Sequence, residues 1–133
     1  MVVPTRKIRI LVVDDEAGFT GLLKLNLEQT GAYEVREEHR AGRALATARA
    51  FKPDLILLDV IMPEMGGGEL AAMLAADAAL KDTPVVFLTA AVSQEEAGRL
   101  DGLTGGHPCL AKPVGHDEVI ACITRHLRRA PGG

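Results

Sequence analysis

The sequence predicts an α/β fold in which a doubly wound parallel sheet carries helices on both faces. Several strand-length runs are apolar throughout, as in parallel strands that are covered on both faces. Helix-length segments with one apolar face separate these runs. Because β-α-β crossovers are right-handed, such an alternation builds a single sheet between two helical layers. The 133 residues are the length of one domain with its own core.

Five segments of the chain are strand candidates. Four are short and apolar, whereas the second is weaker and is placed by its position between the first two predicted helices. The predicted strands are Ile8–Val13, Glu34–Glu38, Leu55–Leu58, Val85–Leu88 and Cys109–Ala111.

Helix signals fill the segments between these strands. Gly31 is a natural stop for the first helix and Pro53 closes the second, while Ser93 and Glu96 form a capping box for the fourth. One face of the first helix is apolar, and we expect it to pack in the core; it carries Phe19, Leu22, Leu23 and Leu27. The predicted helices are Ala17–Thr30, Ala41–Phe51, Glu69–Leu80, Ser93 to about Leu103, and Asp117–Arg129.

Composition narrows the class of protein. The chain is 47% hydrophobic and 25% charged, which is ordinary for a globular protein, and its net charge of −3 argues against duplex nucleic acid as the main partner. Met1–Lys7 has no apolar stretch typical of a secretory signal, and the run from Leu55 to Met62 is too short to span a bilayer. Cys109 and Cys122 are interpreted as reduced thiols. We therefore expect a cytoplasmic protein without membrane insertion.

Polar residues follow the apolar runs at the ends of the predicted strands. Asp14, Asp15 and Glu16 follow the first run, and Asp59 follows the third. Because the carboxyl ends of parallel strands meet at one edge, where open α/β sheets bind ligands, these acids are expected to share a crevice. If each motif is considered alone, it also has a plainer explanation. Asp14, Asp15 and Glu16 would be a solvated loop that starts a helix, and Asp59 would be a helix cap.

Two further strand ends favour phosphate chemistry. Thr89 follows the fourth run, where it also suits a helix cap, and Lys112 follows the fifth. An ammonium group that leaves a buried strand needs an anion nearby. Phosphoryl transfer depends mainly on positioning and charge neutralisation, and Mg²⁺ prefers one or two carboxylates with waters and phosphate oxygens.

Four motifs in this order resemble the receiver domain of bacterial two-component response regulators. They are Leu11–Glu16, Asp59–Met65, Leu88–Ala90 and Lys112–Pro113. The resemblance covers nearly the whole chain. It implies a flavodoxin-like (βα)5 fold with strand order 2-1-3-4-5, a receiver domain over residues 7–129, and flexible ends at residues 1–6 and 130–133.

The resemblance also implies a metal site and a phosphoacceptor. Asp59 would take a phosphoryl group from the phosphohistidine of a sensor histidine kinase or a histidine phosphotransfer protein. Asp15 and Asp59 would bind Mg²⁺ directly, with Asp14 acting mainly through water and the backbone carbonyl of Ile61 adding a ligand.

The remaining implied site residues would serve the phosphoryl group. Thr89 and Lys112 would contact its oxygens, and the small Ala90 would leave the site accessible. We expect no enzyme activity beyond self-catalysed phosphoryl acceptance and slow autodephosphorylation. Since no DNA-binding segment follows Arg129, output is expected through contacts with a downstream protein target, without direct DNA binding by this chain.

The sequence departs from the family pattern at several positions. Cys109 stands where a switching Tyr or Phe is usual, so we expect a weaker conformational switch at the surface of the last strand and the last helix than in relatives with that aromatic residue. Gly66 stands where Asp is common, and three glycines from Gly66 to Gly68 are expected to loosen the start of the third helix. Ile61 and Ala91, which would line the path of the attacking water, cannot hydrogen-bond it, so a long-lived phosphate is expected.

Other classes explain the motifs less well. A phosphohydrolase with an aspartyl-phosphate intermediate needs Asp-x-Asp after the first strand, and Asp14-Asp15-Glu16 does not match. An FMN carrier would need a phosphate loop without acids. Two alternatives within the family are a receiver module of a larger protein and a degenerate receiver that binds partners without phosphorylation.

Overall fold

The computed structural model describes residues 7–60, 62, 65–90, 109–112 and 115–128. These residues form strands and helices that alternate along most of the chain. The strands are β1 (Ile8–Val13), β2 (Tyr33–Glu38), β3 (Leu55–Asp59), β4 (Val85–Ala90) and β5 (Cys109–Lys112). The helices are α1 (Ala17–Glu28), α2 (Ala41–Phe51), α3 (Gly67–Ala76) and α4 (His116–Arg128).

All strand pairs are parallel, and the order across the sheet is β2-β1-β3-β4-β5. β1 therefore lies between β2 and β3, and the short β5 lies beside β4. The prediction of a parallel α/β sheet is confirmed. The helix predicted from Ser93 to about Leu103 lies outside the described residues, so five complete β-α units stay a prediction.

The core has two layers, one on each face of the sheet. Leu11 and Val13 of β1 pack on one face with residues of α2 and α3. Ile10 and Val12 point to the other face and pack with residues of α1 and α4. Successive residues of β1 point to opposite faces of the sheet. Because helices cover both faces, both sets of residues are buried, which explains the continuous apolar run.

The third helix differs from its predicted bounds. It begins at Gly67, two residues before the predicted start, and it ends at Ala76. The next residue, Asp77, has extended backbone with ψ of 126°, and its side chain accepts a hydrogen bond of 2.9 Å from the Ala79 amide. This side-chain-to-backbone bond competes with helix continuation and ends α3 early. Leu80 is nevertheless buried.

The first two helices follow the sequence signals more closely. α2 has the predicted bounds and is followed by Lys52, whose φ of 54° is left-handed, and then by Pro53. α1 ends at Glu28, and Gly31 just beyond it has a left-handed φ of 82°. The predicted inward face of α1 is only partly right, because Leu23 and Leu27 are buried whereas Leu22 is 61% exposed. Among the described residues, no helix is long and apolar enough to cross a membrane.

Candidate functional site

Three carboxylates meet at the carboxyl edge of the sheet. Asp14 and Asp15 follow the end of β1, and Asp59 is the last residue of the neighbouring β3. The pairing of Val13 with Leu58 brings the two strand ends level. Carboxylate oxygens of the three aspartates lie within 4.8 Å of one another. The clustering of Asp14, Asp15 and Asp59 that the sequence predicted is therefore confirmed.

The three aspartates differ in their exposure to solvent. Asp14 is fully buried and Asp59 is 7% exposed, whereas Asp15 is exposed. Charges of one sign this close repel, and they do so more strongly where protein replaces water. A cation offsets that repulsion, and a donor set made only of carboxylate oxygens suits Mg²⁺ or Ca²⁺ better than a soft metal. The cluster therefore fits a hard divalent cation that enters from the side of Asp15.

Backbone hydrogen bonds fix the direction of the Asp14 side chain. The Asp14 amide donates to the Glu38 carbonyl at 3.0 Å, which extends the β1–β2 pairing by one residue. The Asp14 Oδ1 atom accepts a hydrogen bond of 2.9 Å from the Glu16 amide. Glu16 is the N-terminal cap residue of α1 and has extended backbone. The loop from β1 to α1 thus turns around the Asp14 carboxylate.

A close backbone approach fixes the loop after Asp59. The Val60 amide donates to the Leu88 carbonyl at 3.1 Å, and the Gly67 amide donates to the Val60 carbonyl at 2.7 Å. A Cβ atom on Gly67 would overlap the Asp59 carbonyl oxygen and lie 2.8 Å from the Val60 Cα atom. Only glycine fits this position. Gly67 therefore lets α3 pack against the end of β3, and the expected loosening of the helix start by the three glycines stays a prediction.

The other predicted site residues lie at the same edge of the sheet. Asp59 is paired with Leu88, so Thr89 lies one residue beyond Asp59 along β4, and its side chain is 7% exposed. Ala90 pairs with Lys112 at the ends of β4 and β5. The backbone thus places Thr89, Ala90 and Lys112 at the same edge of the sheet as the acids. The side chains of Ala90 and Lys112 and the whole of Ile61 lie outside the described residues.

Comparison with known families places this geometry in context. The model of the response regulator receiver domain matches residues 10–124, which include every predicted site residue. The chain belongs to the response regulator receiver domain family. It is thus a receiver, the phosphoryl-accepting domain of two-component response regulators, and receivers interact with histidine kinases.

Curated relatives of the receiver are transcriptional regulators that are longer than this chain. The phosphate regulon transcriptional regulatory protein PhoB of Pseudomonas aeruginosa is 38% identical over 93% of the chain and 53% of its own length. The transcriptional regulatory protein ResD of Bacillus subtilis is 37% identical over 95% of the chain and 50% of its own length. The chain spans about half the length of the curated relatives it matches.

Solved receiver structures have the same fold. A putative response regulator from Chloroflexus aurantiacus matches with a TM-score of 0.82 and 28% identity, over 93% of this chain and all of its own. The receiver domain of a signal transduction histidine kinase from Syntrophus aciditrophicus matches with a TM-score of 0.80 and 29% identity, over 94% of this chain and 93% of its own. The flavodoxin-like receiver fold predicted from the sequence is confirmed at this level.

Sequence reasoning missed a polar cluster close to the acids. Thr20 of α1 is fully buried, and its hydroxyl lies 2.6 Å from the Glu37 carboxylate and 2.9 Å from His39 Nε2. Thr20 lies on the buried face of α1 with Leu23 and Leu27, and His39 is an exposed residue just after β2. No local motif joins the three residues, because their contact depends on how α1 packs against β2.

Proposed function

We propose that Asp59 accepts a phosphoryl group from the phosphohistidine of a sensor histidine kinase or a histidine phosphotransfer protein. One observation carries the assignment. Asp59 ends the central strand β3 with its carboxylate within 4.8 Å of those of Asp14 and Asp15. Asp59 is also the member of this cluster that lies between β1 and β4, and so between the acids and Thr89.

The reaction moves one phosphoryl group between two side chains. A carboxylate oxygen of Asp59 bonds to phosphorus while the phosphorus–nitrogen bond of the donor breaks, and the imidazole leaves with the electron pair. Bound Mg²⁺ would supply neutralisation of the phosphoryl and carboxylate charges. Asp15 and Asp59 would hold the cation directly, Asp14 through water, and Ile61 through its backbone carbonyl.

The remaining site residues would bind the transferred group. Thr89 would donate its hydroxyl to a phosphoryl oxygen, and Lys112 would place its ammonium group on another. Ala90 would leave room for both the donor and the phosphoryl group. The chain performs no further catalysis in this proposal, apart from slow loss of the phosphoryl group to water.

The cellular setting is proposed from the same family. The receiver, over residues 7–129 in five complete β-α units, would act in the cytoplasm and pass its signal to a downstream protein target. Since the relatives are about twice as long as this chain, the receiver would equally serve as a module of a larger protein. The presence of all the predicted phosphorylation residues disfavours a degenerate receiver that works without phosphate.

Labelling with a small phosphodonor tests the proposal. The protein is incubated with acetyl phosphate and Mg²⁺, and its intact mass is measured. We expect a gain of one phosphoryl group that needs Mg²⁺ and is lost in Asp59→Asn. Asp82→Asn, a change at an exposed aspartate outside the site, is the matched control and should label normally. Equal labelling of Asp59→Asn would reject the assignment.

A further inference from the structure

The polar cluster of Thr20, Glu37 and His39 lies beside the loop that carries two of the three acids. Thr20 is in the first turn of α1, Glu37 is near the end of β2, and His39 is the residue that follows β2. The Thr20 hydroxyl contacts Glu37 Oε1 at 2.6 Å and His39 Nε2 at 2.9 Å, and His39 Nε2 is 3.4 Å from Glu37 Oε1. The cluster therefore joins two elements that flank the Asp14–Glu16 loop.

The donors and acceptors of the cluster are mutually consistent. A hydroxyl has one hydrogen, and both the Ala17 carbonyl at 3.2 Å and the Glu37 carboxylate at 2.6 Å can only accept it. The shorter contact takes that hydrogen. His39 Nε2 must then carry a hydrogen of its own and donate it to the Thr20 oxygen. The hydroxyl of the fully buried Thr20 thereby donates one hydrogen bond and accepts another.

These bonds close a ring around the acidic loop. The Thr20 amide donates to the Glu16 carbonyl at 3.1 Å, and the Glu16 amide donates to Asp14 Oδ1 at 2.9 Å. The Asp14 amide in turn donates to the carbonyl of Glu38, the residue that follows Glu37. The Thr20–Glu37 bond closes the ring. Together with the Thr20–His39 contact, this bond joins the first turn of α1 directly to the end of β2.

We propose that Thr20, Glu37 and His39 form a clamp that positions Asp14 and Asp15 for cation binding. The clamp residues do not touch the cation, so they are positioning residues that act through the loop. Cation binding and phosphoryl transfer both depend on accurate placement of the charged groups. A looser Asp14–Glu16 loop therefore weakens Mg²⁺ binding, and phosphoryl transfer is reduced as a consequence. This inference rests on the proposed function, because it assumes that the acidic cluster binds Mg²⁺.

A matched threonine–glutamate pair provides the control. Thr47 of α2 donates to Glu38 Oε1 at 2.5 Å on the opposite face of the sheet, one residue along β2 from Glu37. Thr47→Val removes one threonine–glutamate hydrogen bond, whereas Thr20→Val removes the bond to Glu37 and also the contact with His39; both changes preserve side-chain shape. Thr20→Val opens the ring. Thr47→Val leaves it closed, because Asp14 bonds to the backbone carbonyl of Glu38 and not to the Glu38 side chain.

The experiment measures Mg²⁺ affinity by calorimetry and the rate of phosphorylation by acetyl phosphate as Mg²⁺ is varied. We expect Thr20→Val to weaken Mg²⁺ binding about fivefold, the equivalent of one ordinary hydrogen bond. Its labelling rate should be low at limiting Mg²⁺ and recover at saturating Mg²⁺. Thr20→Ser, which keeps the hydroxyl, and Thr47→Val should bind Mg²⁺ as the wild type does. If Thr20→Val fails to fold, His39→Ala, a change at a side chain that is 41% exposed, should weaken Mg²⁺ binding in the same direction.

The outcomes separate the clamp from the proposed function. If Thr20→Val binds Mg²⁺ as tightly as the wild type does, the clamp is overturned and the acidic site is left intact. The same conclusion applies to His39→Ala where that variant replaces Thr20→Val. Equal weakening in Thr20→Val and Thr47→Val also overturns it, because the effect would then be a general loosening. If the wild-type protein neither binds Mg²⁺ nor is labelled, the proposed function fails and the clamp fails with it.

Discussion

At the scale of single residues, the contact of Gly67 with the end of β3 has a direct consequence for stability. We expect Gly67→Ala to lower the free energy of unfolding by about 1–3 kcal/mol, because the new methyl group would overlap backbone atoms that cannot move aside cheaply. Gly18→Ala is the matched control, since a Cβ atom there meets nothing within 4 Å in the first turn of α1. It should stabilise the protein by up to about 1 kcal/mol. Urea denaturation measures both changes, and a neutral Gly67→Ala would contradict the described backbone approach.

The acidic cluster leads to a second expectation at the residue scale. Two carboxylates ~5 Å apart repel by about 3 kcal/mol at an effective dielectric of ~20, and the exposure of Asp15 lowers that figure for its pairs. Asp59→Asn removes one of the charges, so it should raise the melting temperature of the metal-free protein. Mg²⁺ should also raise the melting temperature of the wild type, because it binds the folded state. Thermal unfolding with and without Mg²⁺ tests this, and no change in either comparison would contradict the clustering.

At the scale of secondary-structure elements, an ion pair joins the end of α2 to the end of α3. The Arg49 guanidinium contacts Asp77 Oδ2 at 2.6 and 2.7 Å. The Arg49 hydrogen bond, and next the hydrogen bond from the Ala79 amide, hold the pKa of Asp77 below its usual value. A folded-state pKa below the unfolded value stabilises the protein above about pH 4, and this stabilisation disappears as the pH falls through the folded pKa.

The predicted pH dependence follows from that sign. Asp77→Asn should lower the free energy of unfolding at pH 7, and its difference from the wild type should shrink as the pH falls below about 4. The exposed Asp82 offers the control Asp82→Asn, which should match the wild type across the range. Urea denaturation from pH 2 to pH 7 gives the comparison. A difference that stays constant over this range would rule out a contribution from the Asp77 charge.

The elements also show which parts of the fold can be predicted from sequence. The start of β1 and the bounds of α2 were predicted because burial on both faces and a following Pro53 are local signals. The bounds of α3 were wrong, because the early start depends on Gly67 fitting against the distant Asp59, and the early end depends on a bond between the Asp77 side chain and the Ala79 amide that also is not part of the periodic pattern. Contacts between segments distant in sequence leave no periodic pattern in either segment.

At the scale of the whole molecule, the sheet brings together acids that are distant in the chain. Asp14, Asp15 and Asp59 were predicted as neighbours because parallel strands end at one edge, and this reasoning needs only the strand order. The clamp could not be predicted, since the contact of Thr20 with Glu37 requires the packing of α1 on β2. The side chain of Cys109 lies outside the described residues, so the weaker conformational switch stays a prediction.

The identity of the phosphorylated residue is the most direct test of the central claim. The protein is phosphorylated with acetyl phosphate and Mg²⁺ and then treated with borohydride, which reduces an acyl phosphate to an alcohol and so converts the modified aspartate to homoserine. Peptide mass mapping locates that homoserine. We predict homoserine at position 59 alone and only when Mg²⁺ was present during labelling. Homoserine at position 14 or 15, or labelled protein that yields no homoserine, would contradict the assignment of Asp59 as the phosphoacceptor.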